Sequence, residues 1–346
     1  MGSKACSLCG TQADFLCIQR ILEKYDAEYF QCPQCDLIQT EFPYWFEEAP
    51  WSAIAHFDTG AVMRHASCVR MSIALAQVFD LDPTSRCLDY GAGSGLFVRS
   101  MRDRGFDFRW WDLYAPNVHA KGFEAQPDDA FNLVTAFELF EHLPDVRAGI
   151  SPILGSGHEI ILVGTVLHKG HEPGWWYYVP ELGGHVSFYS ERTMRFIAEQ
   201  WGYQVAVSPR YTVFFRRLLS ARRVRLLHRL LSSPRVEGIL FGLAPGYETL
   251  VSRDYAYLLP EFLPSAPTIS PLAPLMPASR RQRAKQELAL QLAGLMSPVV
   301  ERMLDRTQAI VRRASAFGGS VAVTMLDQAV ARARSHDSGS SPPASH

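Results

Sequence analysis

The segment L-D-Y-G-A-G-S-G at residues 88–95 determines how the rest of the chain is interpreted. A strand-forming segment, Arg86 to Tyr90, leads into it, and a segment with helical spacing, Leu96 to Arg104, follows it. Gly91, Gly93 and Gly95 alternate directly after the strand, so the backbone can turn sharply and approach a ligand without obstruction by side chains. The helix that follows points its N-terminal amides at that ligand. This order of elements predicts a nucleotide-type binding loop.

Helical and strand patterns alternate on both sides of the loop, as in a doubly wound α/β domain. Apolar spacing predicts helices over His65 to Phe79 and over Ser190 to Trp201. The predicted strands, which are short, apolar and flanked by turn residues, cover Asp107 to Asp112, Phe131 to Phe137, Glu159 to Thr165, Tyr203 to Val207 and Tyr211 to Phe215. The last two would pair as an antiparallel hairpin at the edge of a mostly parallel sheet.

Asp112 ends the strand after the glycine loop, 17 residues beyond Gly95. A carboxylate at that place can hydrogen-bond the ribose hydroxyls of an adenosine ligand. A dinucleotide-binding loop would read GxGxxG, whereas this one reads D-x-G-x-G-x-G. A nicotinamide-binding unit and a glycine turn used only for packing are the alternatives.

The loop, Asp112 and the stretch F-N-L-V-T-A-F-E-L-F-E-H-L (Phe131 to Leu143) resemble three motifs of class I S-adenosylmethionine-dependent methyltransferases. The resemblance covers about residues 60–215. It implies a Rossmann-like α/β fold with a seven-stranded sheet and S-adenosylmethionine as cofactor. The residues that it places at the cofactor are Asp89, Gly91, Ala92, Gly93, Gly95, Asp112, Phe137 and Glu138.

Four of the seven cysteines form two CxxC pairs, Cys6/Cys9 and Cys32/Cys35, separated by 22 residues. Each CxxC turn directs two thiolates to one side, and two such turns complete a tetrahedral site. A structural Zn²⁺ in an N-terminal ribbon is predicted, with rubredoxin-like iron as the alternative. Cys17 lies between the pairs and is expected to take no part.

A zinc ribbon joined to this kind of catalytic domain is similar to bacterial sugar methyltransferases. The stretch G-H-V-S-F-Y-S, within Trp175 to Ser190, resembles their H-x-S-[YF]-[FY]-S segment. His185 is therefore the candidate general base, with Tyr177 or Tyr178 as substrate contacts. A packing role for these side chains is the alternative. The last 130 residues do not resemble the C-terminal α/β domain of those enzymes, which leaves carbon methylation and a deoxysugar substrate open.

Glu138, Glu141 and His142 form E-x-x-E-H, and on a helix these positions would share a face. The string resembles the Mg²⁺ site of plant-type small-RNA 2′-O-methyltransferases, in which a later histidine completes the coordination, as His185 could here. The alternative places Glu138 beside the methionine end of the cofactor, with no metal.

The remainder of the chain contributes attachments to the catalytic domain. Eight arginines and no acid between Arg210 and Arg235 accompany leucines at helical spacing, which predicts an amphipathic basic helix. Packing on the catalytic domain is expected of it; a nucleotide sugar, RNA or a membrane surface are alternative partners. The predicted domains are a zinc ribbon (1–48), the methyltransferase domain (49–218), a basic helical extension (219–263), and a linker, helical segment and disordered tail (264–346).

A formal net charge of −1 gives the chain no general attraction to nucleic acid or anionic membranes. No apolar run reaches the roughly 18–20 residues of a membrane span, and no signal peptide is recognised, so a cytoplasmic location is expected. Methyl transfer to a small-molecule or carbohydrate acceptor is the predicted function. An RNA-directed or metal-dependent 2′-O-methyltransferase, or a non-catalytic cofactor-binding and zinc-binding protein, is the alternative.

Overall fold

The computed structural model describes residues 4–49, 59–126, 129–170, 172 and 174–262. They belong to one unit of the chain, Met1–Pro277. The predicted linker, second helical segment and tail between residues 264 and 346 lie outside the described residues. The other predicted domain boundaries remain predictions.

Strands and short helices alternate along the described residues. The strands are β1 (Lys4–Ala5), β2 (Gln12–Ile21), β3 (Tyr25–Gln31), β4 (Ile38–Thr40), β5 (Arg86–Tyr90), β6 (Asp107–Trp111), β7 (Leu133–Phe137), β8 (Ile160–Gly164), β9 (Ser187–Phe188), β10 (Gln204–Val207) and β11 (Tyr211–Phe215). The helices are α1 (Ala61–Phe79), α2 (Leu96–Arg102), α3 (Val146–Leu154), α4 (Glu191–Trp201), α5 (Ala221–Ser232), α6 (Pro234–Leu243) and α7 (Val251–Phe262). Short 3-10 turns cover Phe46–Glu48, Phe140–His142 and Trp176–Tyr178.

The central sheet has the order β10-β11-β8-β7-β5-β6. Strands β6, β5, β7 and β8 are parallel, and the β10–β11 hairpin adds two antiparallel strands beside β8. All five residues of β8 are buried, because helices cover both faces of a parallel sheet. The predicted Rossmann-like class and its edge hairpin are confirmed.

The predicted count of seven strands is wrong for the described residues, where this sheet has six. Glu124 forms a single parallel bridge with Trp110 where a further strand would lie beyond β6. Only 21 residues, from Asp112 to Asn132, connect β6 to β7. Each parallel crossover needs about a dozen residues, so this connection is too short for two crossovers and a full strand.

The N-terminal strands form a second sheet of order β1-β2-β3-β4-β9. Its fifth strand, β9, comes from the segment after β8 and pairs with β4 through Ile38–Phe188 and Gln39–Ser187. The sequence predicts a separate N-terminal ribbon and contains no signal for this shared strand. The ribbon and the catalytic domain are therefore joined by main-chain pairing.

The helices after the hairpin pack on the catalytic domain. Ser220 caps α5 by accepting a hydrogen bond from the Arg223 amide. Leu227, Leu230 and Leu231 are buried in the same apolar cluster as the inner face of α1. The leucine spacing is thus that of an amphipathic helix, as predicted. Among the described residues, no helix has the length and apolarity required of a membrane span.

Helix α7 is attached through a buried ion pair. Arg102 at the end of α2 donates to both carboxylate oxygens of Asp254 at 2.8 Å. The two side chains are only 2% and 4% exposed. Asp107 also accepts from Arg102, and the ring of Phe123 lies 3.8 Å from its guanidinium carbon. Pairing thus compensates the burial of these charges.

Asp254→Ala should therefore lower the free energy of unfolding by about 3–5 kcal/mol, because a buried guanidinium loses its main partner. Urea denaturation measures this change. Asp103→Ala is the control, since it removes only an exposed partner of Arg99 and should cost less than about 1 kcal/mol. Equal effects of the two substitutions would contradict the assigned role of the buried pair.

Candidate active site

The glycine loop lies at the carboxyl end of β5. Gly91, Gly93 and Gly95 have φ values of +76°, +52° and +82°, which side-chain-bearing residues rarely adopt. A Cβ atom at Gly95 would lie 3.0 Å from both the Asn117 Oδ1 atom and the Ala120 Cβ atom. The backbone conformation and this close approach both explain the alternating glycines.

Asp112 ties this loop to the end of β6. Its Oδ2 atom accepts from the Gly93 amide at 2.8 Å, and its Oδ1 atom accepts from the amides of Tyr114 and Ala115 at 2.8 Å. A carboxylate offers about four acceptor positions, so capacity remains for a ligand hydroxyl. Sequence reasoning predicted the ligand role but did not reveal the three backbone contacts.

Asp89 lies beneath the loop, in the centre of the sheet. Its side chain is buried, and the Thr135 hydroxyl donates to its Oδ1 atom at 2.7 Å. Burial raises the pKa of this carboxyl to about 7. Ala92, within the loop, is also buried.

Phe137 and Glu138 lie at the end of β7. The Phe137 ring contacts the edge of Phe97, with centroids 5.1 Å apart. Glu138 has a left-handed φ of +50°, and its amide donates to the Gly164 carbonyl at 2.8 Å. Its carboxylate lies 3.6 Å from the Arg64 Nε atom on α1. Sequence reasoning missed Arg64, because a single arginine near a helix N-terminus carries no motif.

The prediction that Glu138, Glu141 and His142 share a helix face is wrong. The left-handed conformation of Glu138 interrupts the chain, and only a 3-10 turn, Phe140–His142, follows. Glu138 is consequently separated from the other two. Among the described residues, Glu141 and His142 instead cluster with His185, and their potential ligand atoms lie within 4.8 Å of one another.

The Glu141 carboxylate is fully buried at the centre of this cluster. Tyr177 donates its hydroxyl hydrogen to the Oε1 atom at 2.6 Å. The Oε2 atom has no hydrogen-bond partner among the described residues. A buried carboxylate oxygen without a partner is costly, which is typical of a site that contacts a ligand or a transferred proton.

The two histidines are oriented by main-chain carbonyls. The Nδ1 atom of His185 lies 2.7 Å from the Tyr177 carbonyl oxygen, and that of His142 lies 2.8 Å from the Gly184 carbonyl oxygen. Because a carbonyl only accepts, each Nδ1 atom carries the proton and each Nε2 atom retains its lone pair when the ring is neutral. Burial lowers the pKa of His185, and the nearby Glu141 carboxylate opposes that shift. The neutral ring can therefore accept a proton.

Tyr177 and Tyr178 face different surroundings. Tyr177 contacts Glu141, whereas Tyr178 is 1% exposed and packs edge-on against Tyr29 and Phe188 at centroid distances of 5.5 and 4.8 Å. Burial raises the pKa of Tyr178 to about 12. Trp176, beside Tyr177, is 69% exposed.

The four predicted ligand cysteines come together at one end of the N-terminal sheet. Their sulfur atoms lie within 4.8 Å of one another, with Cys6–Cys35 at 3.5 Å and Cys9–Cys32 at 3.4 Å. All four are free thiols, and Cys17 is not part of the cluster. Tetrahedral Zn²⁺ with bonds of about 2.3 Å needs sulfur atoms at similar separations.

A family model described as a methyltransferase domain matches residues 63–207. This span runs from α1 to β10 and includes the glycine loop, Asp112, the end of β7 and His185. The chain therefore contains a methyltransferase domain over these residues, built on the Rossmann-like sheet described above.

Solved structures of methyltransferases are similar to this chain at low identity. Magnesium protoporphyrin IX methyltransferase from Synechocystis PCC 6803, with bound S-adenosylhomocysteine, is 15% identical, with 44% of this chain and 84% of that chain covered and a TM-score of 0.35. A Burkholderia thailandensis 1,6-didemethyltoxoflavin-N1-methyltransferase is 13% identical, with 57% and 97% covered and a TM-score of 0.36. Likeness at this level carries no information on the acceptor. No curated protein shows significant sequence similarity to the chain.

Asp112→Ala should weaken binding of S-adenosylhomocysteine by about 1–3 kcal/mol, because a charged acceptor and three backbone contacts of the loop are lost together. Isothermal titration calorimetry measures the change, with Asp103→Ala as the exposed control. Unchanged affinity in Asp112→Ala, or tighter binding of NAD than of S-adenosylhomocysteine to the wild-type protein, would contradict the predicted cofactor site.

Proposed function

We propose that this methyltransferase transfers a methyl group to a hydroxyl of a small-molecule or carbohydrate acceptor, with His185 as general base. The observation that carries the proposal is the contact of the His185 Nδ1 atom with the Tyr177 carbonyl oxygen at 2.7 Å, which places the proton of the neutral ring on Nδ1. The Nε2 atom is thereby left to accept a proton. The segment from Gly184 to Ser190 resembles a segment of the sugar methyltransferases, which supports a carbohydrate acceptor. The exposed Trp176 also offers a ring on which a sugar could stack.

S-adenosylmethionine, when bound, supplies an electrophilic methyl group on a sulfonium. His185 accepts the proton of the acceptor hydroxyl as its oxygen forms the bond to the methyl carbon, and the carbon–sulfur bond breaks with its electron pair going to sulfur. The Glu141 carboxylate stabilises the resulting imidazolium, since its charge favours the protonated form of His185. Tyr177 links the two residues through its hydroxyl and its main-chain carbonyl.

We further propose that the glycine loop and the residues around it contact S-adenosylmethionine. Asp112 would bind the ribose hydroxyls, the backbone of Gly91 to Gly95 would pass beside the donor, and Phe137 and Glu138 would flank its methionine end. Asp89 would support the loop from below, through its bond with Thr135. Tyr178 is given a packing role, because its ring is enclosed among Tyr29 and Phe188.

We also propose that Cys6, Cys9, Cys32 and Cys35 bind one structural Zn²⁺. Four thiolates within 4.8 Å suit a closed tetrahedral site, which has no open position for chemistry. The metal would stabilise strands that are too few to build a core of their own. This assigns zinc a structural role only.

One equivalent of zinc per chain should therefore be found by elemental analysis of fully reduced protein. Cys32→Ser should abolish zinc binding, whereas Cys17→Ser, outside the cluster, should retain it. Zinc removal should leave the affinity for S-adenosylhomocysteine largely unchanged, because the glycine loop is held by its own positive φ angles and by Asp112. Stoichiometric iron, or no metal, would overturn the assignment.

A divalent cation at Glu141, His142 and His185 is the second candidate for the chemistry. The convergence of one carboxylate and two imidazoles favours it, and the orphaned Glu141 Oε2 atom would be a ligand. Such a cation would imply a metal-dependent mechanism similar to that of the small-RNA 2′-O-methyltransferases.

The charges of the N-terminal sheet argue against an RNA acceptor. Arg20 and Lys24 are paired with Asp26 and Glu48. Lys4 donates to the Thr40 carbonyl. These cations are engaged within the protein, so the sheet presents little positive charge to phosphates.

His185→Ala should lower turnover by about 10²–10⁴-fold with little change in cofactor affinity. Transfer from radiolabelled S-adenosylmethionine to a panel of nucleotide sugars and glycans measures the effect. His228→Ala, on the exposed face of α5, is the matched control. Full activity of His185→Ala would remove His185 from the mechanism.

The pH profile of the wild-type enzyme provides a second check. Only the neutral imidazole is a base, and burial lowers the pKa of His185, so the rate should rise with pH through a group below the ordinary histidine value of about 6.5. An absolute requirement for added Mg²⁺ or Mn²⁺, with Glu141→Gln as damaging as His185→Ala, would instead favour the cation.

A further inference from the structure

The segment that carries His185 belongs to the N-terminal sheet as much as to the catalytic domain. Three hydrogen bonds, beside the β4–β9 pairing, come to it from residues before position 49. Trp45 Nε1 donates to the Gly183 carbonyl at 3.0 Å, the Leu22 amide to the Pro180 carbonyl at 2.9 Å, and the Thr40 amide to the Val186 carbonyl at 3.0 Å. These bonds flank His185 on both sides along the chain.

On its other side the same segment rests on the turn after β7. The Val186 amide donates to the Glu141 carbonyl at 2.8 Å, and the Ser187 hydroxyl donates to the Leu143 carbonyl at 2.7 Å. The His185 segment is thus clamped between the catalytic domain and the N-terminal sheet. A base must be held within a few tenths of an ångström of its productive position, so both sides of the clamp matter for catalysis.

Trp45 supplies a side-chain hydrogen bond from the N-terminal residues to the His185 segment. Its side chain is fully buried, and the indole donates to a carbonyl only two residues before His185. Gly183 has a φ of +66°, and a Cβ atom there would lie 2.9 Å from Ile21 Cγ2 and 3.1 Å from Trp45 Cδ1. The turn therefore fits closely against this indole and no other residue type could occupy position 183 without displacement.

The position of this turn also determines the second histidine of the cluster. The carbonyl of Gly184 accepts from His142 Nδ1, and the carbonyl of Tyr177 accepts from His185 Nδ1. Tyr177 and Val186 are buried in one apolar cluster with Ile38 and Trp45. Movement of the N-terminal sheet would therefore be transmitted to both imidazoles.

We propose that Trp45 is a positioning residue of the active site: its hydrogen bond to Gly183 holds the turn that orients His185, which makes the N-terminal sheet a working part of the methyltransferase. The inference rests on the proposed role of His185. Trp45 contributes through the turn and does not touch the reacting atoms. A metal at the four cysteines would also stabilise this turn, since the cysteines flank strands β3 and β4, which lead to Trp45.

Trp45→Phe tests the inference, because it keeps an aromatic ring while removing the indole donor together with part of the buried ring. Tyr44→Phe is the matched control, since Tyr44 lies on the same turn, is half exposed and keeps its ring contact with Trp45. Hydrogen–deuterium exchange of peptides over residues 181–188 and 88–96, calorimetry with S-adenosylhomocysteine, and turnover with the acceptor panel are measured on both variants.

In Trp45→Phe, the 181–188 peptides should exchange at least about tenfold faster while the 88–96 peptides and the S-adenosylhomocysteine affinity stay at wild-type values. Turnover should fall by about 10–100-fold in kcat, as expected of a displaced base. Tyr44→Phe should match the wild type in all measurements. Gly183→Ala, which displaces the turn from the other side, should reproduce the Trp45→Phe pattern even if Trp45→Phe folds poorly.

Unchanged exchange over residues 181–188 in both Trp45→Phe and Gly183→Ala would overturn the inference. So would faster exchange over both regions together with weaker cofactor binding, because that pattern is general destabilisation. Faster local exchange with wild-type turnover also overturns it when His185→Ala is inactive. If His185→Ala retains full turnover, the proposed function fails while the exchange data still report whether Trp45 holds the turn.

Discussion

The parallel pairing of β5 with β7 and of β7 with β8 is the constraint on which the functional site depends. Parallel strands end at the same edge of the sheet, so the glycine loop, Glu138 and the segment after β8 are brought together there. The pairing requires helices on both faces, and β8 is accordingly buried along its whole length. The proposed donor site and the proposed acceptor site therefore lie at one edge of the sheet.

The proposed cofactor site and the proposed acceptor site are held by different kinds of packing. The glycine loop is held within the catalytic domain, by its own positive φ angles and by the Asp112 carboxylate. The His185 segment lies at an interface, where the N-terminal sheet adds main-chain bonds and a buried indole.

The C-terminal helices have a structural part in the same domain. Helices α5 and α6 pack on α1, and α7 is attached through the Arg102–Asp254 pair beside the short connection from β6 to β7. The leucines of α5 are buried, and Arg223 on the same helix is paired with Asp80.

Local sequence patterns by themselves determined the α/β class, the glycine loop, Asp112 and the gathering of the cysteine pairs, because each depends on spacing along a few residues. The tertiary structure decided what depends on distant segments. It removed Glu138 from the cluster and left His185 with Glu141 and His142, since a left-handed residue ends the expected helix. It enclosed Tyr178, and it paired β9 with β4 across about 150 residues of chain, which no local periodicity encodes.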